Sequence, residues 1–197
     1  MDKEQLLGLA TGWRLPEDEK GLELYLGALE RYSASSTREE FVDFILEIRD
    51  RGKRGTVDYI FAVYPAVRSF LNRFGETPGR LLVGFMEASN AGEEEDETRF
   101  ITRLMELTPD DRTVNLLFVL HSRKPPTSDM KRVDWELEQL SKIENAYPSD
   151  PIVGEVRKRL TETKRPIGDR SNEDLWNKIF GLVWKEYERN LPKLLLG

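Results

Sequence analysis

The sequence predicts an all-α protein, and three observations in its 197 residues predict it. Apolar residues recur three and four positions apart through most of the chain, as in Phe41, Phe44, Ile45 and Ile48, or Trp176, Ile179, Phe180, Val183 and Tyr187. One face of an amphipathic helix needs that spacing. Valine and isoleucine fall inside the same pattern, and no stretch joins period-two alternation to the Asn-Gly or Asp-Gly turn of a hairpin. Helix starts, finally, are written as a capping side chain followed by proline at Thr77-Pro78, Thr108-Pro109 and Asp150-Pro151. The cap satisfies an orphaned amide and the proline presets the first helical φ.

Taken in order, these signals place helices over about residues 2–10, 16–33, 37–51, 56–74, 78–91, 94–107, 109–122, 128–146, 151–163 and 172–190. The third opens on a capping box, with Ser36 reaching Glu39 or Thr37 reaching Glu40, and the last opens on Ser171 with Asp174. Gly52, Gly75, Gly92 and the Pro125-Pro126 pair mark helix ends. In the fourth span Val57, Ile60, Phe61 and Tyr64 form one apolar face, and Pro65 in its interior predicts that the helix kinks or splits there.

The starts at 36, 77, 108 and 150 are 41, 31 and 42 residues apart, and each opens a helix followed by a second. About eight to ten helices in antiparallel pairs follow. An irregular solenoid of the HEAT or tetratricopeptide kind and a compact multi-helix bundle both fit that rhythm, and no repeat consensus separates them. The length suits a single helical domain over 1–197, with 1–35 as an N-terminal subregion, able to bury about 70% of its unfolded surface.

Composition narrows function. With no cysteine, disulfides, thiolate metal sites and a cysteine nucleophile are excluded. No apolar run reaches the roughly 20 residues that span a bilayer, and the N-terminus lacks the basic and apolar regions of a signal peptide, so a cytoplasmic protein without membrane contact is expected. The net charge of -6 is banded: residues 49–80 hold seven bases against three acids, and residues 81–108 hold seven acids against two bases.

Few residues offer chemistry. The one histidine, His121, continues the face of Val114, Leu117 and Phe118 at the end of a helix, where a cation favours the macrodipole, so its expected role is architectural. Glu40 with Asp43, Asp43 with Glu47, and Glu94 with Glu97 have the spacing of helix-borne metal ligands. In its paired acids alone, this pattern resembles the all-helical nucleotide pyrophosphatases. Helix-start dipoles explain most of the same acids. No phosphate loop, dinucleotide fingerprint, nucleophile elbow or zinc pattern occurs, and no cofactor is expected.

Two basic clusters remain as candidate phosphate-binding residues: Arg49, Arg51, Lys53 and Arg54, and Arg157, Lys158, Arg159, Lys164 and Arg165. Leu194, Leu195 and Leu196 follow Pro192, which is expected to end the last helix. Three exposed leucines would forgo about 1.5–3 kcal/mol each, so this tail is expected to dock, on the protein's own last helices or in a neighbouring copy or partner. The reading favoured by the sequence is a helical protein-interaction module, an adaptor or subunit of a larger assembly, not an enzyme. A nucleic-acid-associated subunit using the basic clusters is the alternative, and a metal-dependent hydrolase the third.

Overall fold

The computed structural model describes residues 2–11, 19–121, 131–167 and 169–197. The expected helix start at 16 and the Pro125-Pro126 stop lie outside these residues. The fold is all-α, and no strand occurs among the described residues. The α-helices are α1 Lys3–Thr11, α2 Glu19–Ser35, α3 Arg38–Lys53, α4 Tyr64–Phe74, α5 Pro78–Ala91, α6 Glu94–Leu107, α7 Arg112–His121, α8 Arg132–Ala146, α9 Pro151–Thr163 and α10 Glu173–Leu196. A π-helical turn, Tyr59–Val63, leads into α4, and a 3-10 turn, Arg170–Asn172, leads into α10.

The caps show why these residues start helices. Thr37 and Glu40 close a reciprocal box at the start of α3, with Thr37 Oγ1 accepting from the Glu40 amide at 3.2 Å and Glu40 accepting from the Thr37 amide at 2.7 Å. Asp2 and Gln5 do the same for α1. Thr77 and Asp150 accept from the first amides of α5 and α9.

Two expected caps are replaced. Thr108 donates its hydroxyl back to the Leu104 carbonyl, and Asp111 instead accepts from the Val114 amide, so α7 starts at Arg112. Ser171 bonds Asp169, while Asp174 is held by Arg159, so the 3-10 turn rather than a Ser171 box leads into α10. A neighbour with better geometry wins each acceptor.

Gly75 and Gly92 stop their helices at φ of 79° and 73°, the left-handed region that favours glycine. Gly52 does not stop α3, which runs to Lys53; the left-handed residue is Gly55. At Gly52 the missing side chain matters for space, since a Cβ there would lie 3.0 Å from Tyr59 Cδ2 and Val63 Cγ2.

The residues group into two compact units, Met1–Phe100 with Asn190–Gly197, and Ile101–Arg189. In the first, the Tyr25 hydroxyl donates to the Ala62 carbonyl at 2.8 Å and Arg73 reaches the Ser36 hydroxyl at 3.4 Å. Both pairs are 37 residues apart, so α2 runs parallel to the π turn and α4. Phe41 meets Tyr32 and Phe70 edge to face, and Phe44 lies tilted against Tyr32.

In the second unit successive helices alternate in direction. Phe118 near the end of α7 meets Trp135 near the start of α8, and Arg112 at the start of α7 pairs with Asp150, the cap of α9. Arg159 with Asp174 and Lys178 with Glu155 pair α9 with α10 in the antiparallel sense. Along α10 the rings of Trp176 and Phe180 stack at 4.7 Å, with Trp184 and Tyr187 continuing the row.

The C-terminal residues correct the sequence reading. Pro192 removes one main-chain bond, yet α10 continues to Leu196. Leu191 and Leu195, four apart, are both buried on one stripe, and that burial outweighs the lost bond. Leu194 and Leu195 lie against the start of α5, where Arg80 Nε donates to the Leu195 carbonyl at 2.8 Å. A Cβ at Gly79 would stand 2.9 Å from the Leu194 carbonyl, so only glycine admits this approach. Leu194 is half-buried and Leu196 stays exposed.

Candidate interaction groove

A groove of about 410 Å³ opens in the first unit between α2 and the π turn with α4. Its α2 wall is Leu22, Leu26 and Leu29, at the i, i+4, i+7 spacing of one helical face. The other wall is Ile60 and Phe61 from the π turn, followed by Tyr64, Pro65 and Arg68 of α4. Leu26, Ile60 and Phe61 stand on its lips at 37%, 41% and 36% exposure.

The π turn is what turns those side chains outward. In a continuous α-helix Ile60 would share the inner face of Val63 and Val67, as the sequence spacing predicts. A π turn fits an extra residue into the turn, so three-residue spacing no longer returns to the same face. Val57, Ala62, Val63 and Tyr64 are buried, while Ile60 and Phe61 are displaced to the surface.

Pro65 is the local cause. It carries no amide hydrogen for an α-type bond, and the turn before it closes instead with the Tyr64 amide bonding the Tyr59 carbonyl. Pro65 therefore sits in the first turn of α4, directly after the π turn, with Val63 and Tyr64 at helical φ and ψ where the two segments join. Asp58 caps the π turn by accepting from the Phe61 amide at 3.0 Å, and the Tyr59 hydroxyl anchors it by donating to buried Glu87.

Charge on the rim is sparse. Asp96 accepts from the Tyr64 hydroxyl, takes Arg99 at 3.1 Å and lies 3.4 Å from Arg68. Burial, and then that bond to Asp96, push the Tyr64 hydroxyl well above its ordinary pKa, so it remains a donor. Glu30 and Glu93 also line the groove.

The residues singled out from sequence fall elsewhere. Arg49 is buried at 5% exposure, its Nε 2.7 Å from Glu87, and this takes it out of any surface cluster. Arg51 pairs with Glu47 at 2.8 Å and Arg54 with Asp50 at 2.5 Å, while Lys53 is exposed. In the second cluster Arg157 binds Glu144, Arg159 grips Asp174 with two bonds, Lys158 lies 3.8 Å from Glu162 and Arg165 3.4 Å from Asp169. Lys164 ends α9 at a left-handed φ of 52°. The first cluster belongs to the Met1–Phe100 unit and the second to the Ile101–Arg189 unit. Internal ion pairs occupy most of these cations, so a phosphate would have to displace a carboxylate at each.

The acids behave likewise. Glu40 closes its capping box, Glu47 bridges Lys3 and Arg51, and Glu97 is buried. Among the described residues no three acidic or histidine side chains gather as a metal site needs. His121 lies in the last turn of α7, its ring 6.0 Å from Trp176 and 6.2 Å from Phe180. No helix among the described residues is long and apolar enough to cross a membrane.

No protein-family model, curated protein or solved structure matches this chain. The groove therefore has to be read from its own chemistry. Sequence reasoning missed Ile60 and Phe61 as surface residues because they carry the spacing of core, and it did not single out Leu26. The signal that could have found Ile60 and Phe61 was Pro65, eight residues after an unbroken Val57 start.

Proposed function

We infer that this protein is a helical interaction module, an adaptor or subunit of a larger assembly, and that it engages its partner through the α2–α4 groove. The observation that carries this reading is the exposure of Leu26, Ile60 and Phe61 along one apolar groove, two of them turned outward by a π turn. Such turns are rare and cluster at functional sites. Contiguous exposed apolar surface is costly to keep in water unless something covers it.

The shape favours a protein ligand. Small-molecule sites enclose about 70–90% of the ligand, whereas a groove with apolar lips covers one face, which is how an amphipathic helix docks. The groove volume of about 410 Å³ accommodates a few anchor side chains rather than a whole helix.

A photo-crosslinking residue in place of Phe61, compared with one in place of Leu24, tests the reading in the native host. Leu24 is apolar and 60% exposed but lies outside the groove. A protein adduct formed from position 61 and not from 24 is the expected result. Equal labelling from both positions, or none from 61, would refute the assignment.

A further inference from the structure

We propose that the groove selects a basic amphipathic helix, one whose apolar face is flanked by lysine or arginine; this rests on the groove being the docking site. Among the described residues three charged side chains line it: Arg68, Glu30 and Glu93. Arg68 already has a counterion in Asp96 at 3.4 Å, and Asp96 is itself held in place by Tyr64 and Arg99. Glu30 and Glu93 show no ion pair among the described residues.

The two acids come from different elements. Glu30 lies one helical turn beyond Leu26 on α2, and Glu93 lies just before α6, whose Asp96 meets Tyr64. An apolar floor with carboxylates at its margins, and with Arg68 neutralised by Asp96, is complementary to leucine-type anchors with cations beside them. Juxtaposed like charges disfavour an acidic helix of the same apolar pattern. The region that follows in sequence adds a further exposed acid, Glu95, at the start of α6.

Two probe peptides of about 20 residues decide it, both with leucine at i, i+3, i+4 and i+7, one with lysine and one with glutamate at the remaining positions. Binding to the full chain is followed by fluorescence anisotropy. The wild type should bind the lysine peptide at least tenfold tighter than the glutamate peptide. The E30K/E93K variant should bring that ratio to one or below.

The E138K/E162K variant makes the same change in total charge at two exposed acids of the other unit, and should leave the ratio within threefold of wild type. If the two double variants shift the ratio equally, or the wild type prefers the glutamate peptide, the inference is overturned. The underlying groove assignment fails separately: it is refuted if Phe61→Asp, folded by circular dichroism, binds the lysine peptide as tightly as wild type does.

Discussion

Arg80 donates from Nε to the main-chain carbonyl of Leu195 at 2.8 Å, tying the second residue after Pro78 to the end of a helix 115 positions away. The same guanidinium bonds the carbonyls of Phe74 and Gly75, where α4 ends, and lies over the Phe70 ring. Two helix C-termini thus share one buried cation. Those carbonyls carry the negative end of the helix macrodipole toward the guanidinium, while desolvation, and then the Arg38 charge, lower the Arg80 pKa.

Arg80→Met should therefore lower stability by about 2–3 kcal/mol, the scale of hydrogen bonds to a charged group. Ending the chain at Lys193 removes Leu195 as well as the bond and should cost at least as much. Because both act through one contact, the combined variant should fall short of the sum. Urea denaturation of all three measures this; strict additivity would show that Arg80 and the tail act independently.

Gly52 and Gly154 make opposite predictions for the same substitution. A Cβ at Gly52 meets Tyr59 and Val63 at 3.0 Å, so Gly52→Ala should destabilise by about 1–3 kcal/mol and disturb the π turn. At Gly154, inside α9, nothing lies within 4 Å of that Cβ, so alanine should stabilise by about 0.5–1 kcal/mol through backbone entropy and helix propensity. Melting curves read the sign directly.

Asp150 should contribute to acid lability. Burial alone would raise its pKa, but the amides of Val153 and Ile152 and the Arg112 guanidinium outweigh burial and hold it below the ordinary value. A carboxyl depressed in the fold stabilises above the unfolded value of about 3.9, and that contribution is lost as pH falls through the folded value. Asp150→Asn keeps an acceptor for the cap but loses the charge. Its stability deficit relative to wild type should be present at pH 7 and shrink below about pH 4; a deficit that grows on acidification would contradict the assignment.

Glu136 has the opposite sign. It is fully buried, accepts from the Ile167 amide at 3.1 Å and from Arg132 Nε at 2.9 Å, and burial raises its pKa against the pull of those two donors. Its stabilising contribution is complete at low pH and declines as pH rises through the folded pKa. Glu136→Gln, which preserves an acceptor without the charge, should gain on wild type between pH 4 and 8. Glu136→Ala, which leaves the Ile167 amide without its acceptor, should cost about 1–3 kcal/mol. Stability measured across that pH range distinguishes the two.

From the sequence alone, local rules determined the helices and several of their ends. α5, α6 and α9 fall at the expected residues because Thr77-Pro78, the acidic run before Phe100, and Asp150-Pro151 act within one helical turn of the ends they specify. The position of His121 in the last turn of α7 was legible for the same reason. What tertiary structure decided lay in longer-range competition. Asp111 displaced Thr108 as a cap, Glu87 drew Arg49 out of its surface cluster, and the start of α5 received the tail past Pro192. The groove belongs to this second kind. Periodicity assigns Ile60 and Phe61 to a buried face, and only the packing of Tyr59 and Val63 against Gly52, with Pro65 denying an α-type bond, rotates them outward. Hydrophobic spacing records which residues share a helical face; which face meets water depends on partners far away in the chain.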